Sequence, residues 1–164
     1  MTLSAALDVI ARLLHVFGVL IWMGHNYTNV IQTPAFRPIQ LLNHDAMTAA
    51  IGREHSIFRH ASLVVLVTGV YMLWYRGILV DSLTLSGHAA VTGIGVWTGT
   101  IMLLNLWFVL WPHQKKALGF IPATDNERIR CSRITFISSR TNTILSIATL
   151  FFMICGAHGV FLFH

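Results

Sequence analysis

The chain has 164 residues, 55% hydrophobic and only 10% charged, and its mean hydropathy is +0.67. A soluble domain carries about 25% charged residues, so the composition excludes an ordinary soluble fold. The net charge of +5 is placed as a membrane protein places it and does not point to nucleic acid.

Four apolar stretches, about 9–32, 60–77, 88–111 and 141–163, predict an all-α polytopic membrane protein. Each reaches the ~20 residues that cross a ~30 Å hydrocarbon layer as a helix. The expected arrangement is one domain over 1–164, an up-and-down bundle of four transmembrane helices. The first stretch reads as a span and not a signal peptide, because no basic segment precedes it and no small-residue cleavage site follows. Arg12 and Arg76 fall on the side of the N-terminus. The other nine basic residues (Arg37, Arg53, Arg59, Lys115, Lys116, Arg128, Arg130, Arg133 and Arg140) fall on the opposite side. Cytoplasmic loops carry the excess of Lys and Arg, so both termini are expected to be non-cytoplasmic.

The first helix is expected from Leu3 to Gln32, ending before Thr33-Pro34 because proline disfavours helix in the residue before it. Its second half, Gly24-His25-Asn26-Tyr27-Thr28-Asn29, is too polar for lipid and must face protein, a cofactor or water. Residues 34–58 read as a cytoplasmic connection containing Pro34, Pro38 and a short helix from Asp45 to Ile51. The second span opens at Arg59-His60 and closes on Tyr71-Met72-Leu73-Trp74-Tyr75-Arg76, an aromatic and arginine anchor. After an outer loop, 77–87, the third span is rich in small residues (Ala89, Ala90, Gly93, Gly95, Gly99), which admit a neighbouring backbone or a flat cofactor. Pro112 need not end this helix, which is expected to run on towards Lys116. Thr124-Asp125-Asn126-Glu127 has the spacing of a capping box, so a helix is predicted from about 125, through Arg140, into the fourth span.

Nine histidines occur. At a rise of about 1.5 Å per residue, counted from Thr33 and Arg140, His15 and His158 both lie about 27 Å up their helices. Directly across, Ile94 is flanked by Gly93 and Gly95. Two imidazoles and a glycine notch at one level suit a haem wedged between helices, with His15 and His158 on the iron. Trp22 continues the face of His15. His88, about 36 Å up, is the alternative ligand, a propionate partner or a solvated cap. His25 and His60 form a candidate second haem site, although their depths differ by about 10 Å. Two other readings stand beside haem. An interhelical hydrogen bond alone would hold the bundle together, and copper would draw on His158 with Met153 and Cys155. His44, His55, His113 and His164 are expected in solvent. All six carboxylates are expected outside the spans, and Cys131 and Cys155 are too far apart for a disulfide framework or a haem-attachment motif.

Gly99-Thr100-Ile101-Met102, Asn105 and Pro112-His113-Gln114-Lys115-Lys116 resemble the third-span signature of the urate-oxidase N-terminal family, the membrane domain of bacterial urate hydroxylase. Thr141-Asn142-Thr143 with Leu150-Phe151-Phe152-Met153, and Leu14-His15 to Trp22-Met23-Gly24, resemble it too. The resemblance implies a haem-linked protein of the bacterial inner (cytoplasmic) membrane that passes electrons to a c-type cytochrome. This chain departs from the longer members: it shows no cytochrome c domain, and Gly93 stands where they are expected to carry a histidine. The pattern is also distantly similar to four-helix bacterial protoporphyrinogen oxidase. The expected function is therefore a b-type haem subunit relaying electrons within a larger redox complex, in contact with lipids, other membrane subunits or a c-type cytochrome. A haem-dependent membrane oxidoreductase and a cofactor-free structural subunit are the alternatives.

Overall fold

The computed structural model describes residues 2–36 and 45–159, so Arg37, Pro38, His44 and His164 lie outside the described residues. Helix α1 runs Leu3–Gln32, with Thr33 as its C-cap before Pro34. Helix α2 runs Asp45–Tyr75. The short helix expected at 45–51 is therefore the first part of a longer one that continues into the second span.

In the outer loop a short helix α3, Leu79–Leu83, leads through a tight turn, Gly87–Ala89, into α4, Ala90–Leu104. A π-helical stretch, Asn105–Leu110, joins α4 to α5, Trp111–Ala117, so the third long helix is unbroken past Pro112. The wide turn has a covalent cause. Proline has no N–H and its ring crowds the carbonyl a turn earlier. The ladder widens just before it, Trp111 N–H bonding to the Leu106 carbonyl. His113 Nδ1 donates to the Val109 carbonyl at 2.7 Å, satisfying an acceptor beside the gap.

Helix α6, Asp125–Ala157, begins at the capping box read from the sequence. The Glu127 N–H donates to Thr124 Oγ1 at 3.3 Å, and the Thr124 N–H donates to Glu127 Oε2 at 3.0 Å. Arg128 donates to the Ala117 carbonyl from Nε and Nη2, closing the C-terminus of α5 with a cation where helix carbonyls favour one.

Among the described residues, four helices are long and apolar enough to cross a membrane: Leu3–Gln32, Glu54–Tyr75, Gly87–Ala117 and Asp125–Ala157. Their contacts make an up-and-down bundle. Gly18 lies against Ala61 and Val65, and Gly69 against His15, so α1 and α2 are antiparallel. Gly95 lies against Met153 and Gly99 against Thr149, which sets α4 antiparallel to α6. Tyr27 meets Ser146 and Asn29 meets Ser139, which closes α1 on α6. The beginning of α1 and the end of α6 thus share one end of the bundle, called here the terminal end.

In lipid the drive to associate comes from close packing and interhelical hydrogen bonds, since tails are as apolar as leucine. Both are present. Trp22, Met23, Phe58, Ala61, Met102, Leu106 and Leu110 form the buried core, while most of the remaining apolar side chains face outward. Asp8 corrects one expectation: it sits inside α1 and is only 6% exposed. Its carboxylate accepts from Arg12 Nε at 2.7 Å, one turn on, which keeps the charge paired.

Candidate functional site

Below the terminal end, α2 and the third long helix are tied by side chains. Trp107 Nε1 donates to Ser62 Oγ at 3.2 Å, Arg59 lies 3.7 Å over the Trp111 ring, and Gln114 Nε2 donates to His55 Nε2 at 3.1 Å. In the terminal half a cavity of about 520 Å³ is lined by residues of all four long helices. Its size is within the roughly 300–1,000 Å³ of sites that enclose a small-molecule ligand. The walls are mostly apolar, from Val65, Leu73, Leu103, Leu150 and Met153 among others, and Arg76 also borders it.

His15 and His158 both line this cavity, together with Trp22 and Gly95. The hydrogen bonds of the two rings decide where their protons lie. His15 Nδ1 is 3.1 Å from Thr68 Oγ1. That hydroxyl spends its own proton on the Val64 carbonyl at 2.6 Å, so it accepts from the imidazole. His158 Nδ1 is 2.9 Å from the Ile154 carbonyl, and a carbonyl only accepts. When neutral, each ring therefore has N–H at Nδ1 and a lone pair at Nε2, the state in which imidazole ligates a metal. The same kind of carbonyl bond fixes His60 and His113, but neither lines the cavity.

Gly69 lets His15 lie close against α2. A Cβ on Gly69 would stand 3.1 Å from His15 Cε1. Gly69 and Thr68 are the residues that the sequence reading missed. The available signal was antiparallel pairing: with Gly18 set against Val65, His15 must reach Gly69.

The other expected residues divide. Gly93 does not border the cavity; a Cβ there would overlap the Ser82 carbonyl oxygen, so this glycine admits α3 instead. His88 is exposed in the turn before α4. His25 faces Glu54, His55 and Phe58, whereas the exposed His60 turns to Ser56 and the edge of Trp107, so the two do not face a common neighbour. His55 corrects its expected solvation: α2 begins early enough to carry it inward, and it is 8% exposed. Among the described residues no group of three or more His, Cys, Asp or Glu side chains gathers as a bare-metal site. Cys155 is buried and outside the cavity lining.

Nearer the middle of the bundle, the two signature segments meet. Asn105 Nδ2 donates to Asn142 Oδ1 at 2.7 Å and to the Ser138 carbonyl at 3.0 Å. Asn142 Nδ2 donates to the Met102 carbonyl at 3.2 Å, and Ser138 Oγ donates to Asn105 Oδ1 at 2.9 Å. This network locks α6 to the third helix just beneath the cavity's Thr149, whose hydroxyl meets Thr98 at 2.9 Å.

Residues 39–164 match the urate oxidase N-terminal family, and the chain belongs to it. No curated protein and no solved structure matches the chain significantly.

Proposed function

We propose that this family member is a b-type haem protein of the bacterial inner membrane that relays electrons, with His15 and His158 as the axial ligands. The observation that carries the reading is their meeting in one cavity, each with Nδ1 occupied and Nε2 bearing the lone pair. The surrounding residues fit such a group. Gly95 and Gly69 leave space where side chains would intrude, and the apolar walls suit a macrocycle. Arg76 offers a cation for a propionate.

Haem supplies a one-electron couple whose potential depends on its ligands and their hydrogen bonds. The chain's own part is to hold two imidazoles in one tautomer, to surround the group with apolar walls such as Val65, Leu150 and Met153, and to tune His15 through Thr68. Held by both histidines, the group would serve electron transfer, since activation of a bound substrate needs an open position. The small bundle then serves as one subunit of a larger redox assembly, delivering electrons to another membrane subunit or a c-type cytochrome. The nine-to-two distribution of basic residues supports a topology with both termini, and the haem, on the non-cytoplasmic side.

The test is a reduced-minus-oxidised absorption spectrum of the purified chain. A b-type spectrum lost in both His15→Ala and His158→Ala is the expected result. A wild-type protein without haem, or both variants with an unchanged spectrum, would refute the assignment.

A further inference from the structure

A second pocket, of about 240 Å³, opens between α1 and α2 in the half away from the termini. It is lined by Ile21, His25, Thr28, Glu54, Ile57 and Phe58. Ile21 is 43% and Ile57 61% exposed, on helices that cross the membrane, so the mouth faces lipid. On α1, Gly24 lies on the same face as Ile21 and Thr28, and a Cβ there would meet nothing within 4 Å. A cavity of about 150 Å³ holds benzene, so this one has room for a single substituted ring.

One wall is polar in a specific way. His25 Nδ1 lies 3.2 Å from Glu54 Oε1. The carboxylate accepts, which leaves a neutral His25 with its lone pair on Nε2. The imidazole is held flat by Phe58, stacked at 3.9 Å and 8°, and His55 meets it edge-on at 5.3 Å. An oriented imidazole backed by a carboxylate is a hydrogen-bond acceptor for a hydroxyl, presented at the end of an apolar slot.

We propose that this pocket binds the head of a lipid-soluble ring compound bearing a hydroxyl, a quinol, whose O–H donates to His25 Nε2 while its ring lies between Ile21 and Ile57. An acyl chain would fill the slot but leave His25 facing hydrocarbon, and the carboxylate of Glu54 repels an anionic headgroup. The exposed Ile21 and Ile57 at the mouth favour a ligand that is itself lipid-soluble over a water-soluble one. The claim concerns binding and does not depend on the haem reading.

The test uses the full chain in phospholipid nanodiscs with an azido-quinol photolabel, kept reduced, and decylubiquinol as competitor. Saturable labelling of the peptides carrying Ile21, Ile57 or Phe58, displaced by decylubiquinol, is expected. His25→Ala removes one hydrogen bond from an oriented group and should weaken competition about tenfold. Ile57→Trp fills the slot from an exposed, lipid-facing position and should abolish labelling with the thermal unfolding midpoint unchanged. Labelling spread evenly over the lipid-facing helices would overturn the proposal, as would labelling that a photoactivatable phospholipid reproduces and decylubiquinol does not displace. Wild-type affinity in both variants would do the same. A haem spectrum recorded on each sample separates this outcome from that of the His15–His158 assignment.

Discussion

Asn105 and Asn142 meet amide to amide at 2.7 Å inside the bundle, and Asn142 has no exposed surface. Removing Asn142 takes one of two acceptors from the Asn105 amide nitrogen and the side-chain donor from the Met102 carbonyl, where water cannot replace it. Asn142→Ala should destabilise the bundle by about 1–2 kcal/mol, between the modest average for polar contacts in lipid and the cost of an orphaned buried group. Denaturant unfolding in mixed micelles measures this. A loss as small as that of Ile144→Ala, at an exposed position, would show that the network carries no stability.

The haem assignment separates ligands from their supports. His15→Ala and His158→Ala should each lose the b-type spectrum, while His60→Ala and His113→Ala, whose rings lie outside the cavity lining, should retain it. Thr68→Val removes the acceptor for His15 Nδ1 and keeps the volume nearly constant. Haem should remain bound with a shifted midpoint potential, because hydrogen bonding to an axial imidazole tunes the iron. Potentiometric titration reads that shift.

The two glycines of α4 should fail differently. Gly95→Leu puts a side chain into the cavity and against Met153, so a folded protein with reduced haem content is expected. Gly93→Leu meets the Ser82 carbonyl, backbone that cannot yield as a side chain can, so it should lower the yield of folded protein. Haem occupancy per folded chain, set against recovery from size-exclusion chromatography, distinguishes the two.

Both termini should face away from the cytoplasm. Reporter fusions in 77–87 should read as outside, and fusions in 119–123, between α5 and α6, as inside, following the basic residues. The reverse pattern would invert the bundle and move the cavity to the cytoplasmic half.

Helix ends were legible because their signals are local. Thr33-Pro34 stops α1 by steric exclusion, and the Thr124–Glu127 box starts α6 through its own short-range bonds. That His15 and His158 border one cavity was legible in the count of residues along their helices, because straight helices convert that count into depth. Gly69 was not, since a glycine acquires meaning only from the side chain set against it. His55 was misread because Glu54-His55-Ser56 looks like a loop on its own. It is tolerated inside because Gln114, and His25 of the polar half of α1, supply polar neighbours. The wide turn at Asn105–Leu110 has its cause in Pro112, yet proline alone does not say whether a helix will kink, end or widen.

That wide turn makes the third helix a rod with two facings. Thr98, Met102 and Asn105, up to its first residue, address α6; Trp107 within it, and Trp111 and Gln114 beyond it, address α2. The wide turn absorbs one extra residue locally, so chain length there is uncoupled from angle. Deleting one residue between Leu106 and Leu110 would let the ladder close evenly with Gln114 still toward His55 and Trp111 toward Arg59, whereas deleting one from the even ladder of α4 would rotate all that follows by about 100°. A deletion within this stretch should therefore be tolerated better than one within α4.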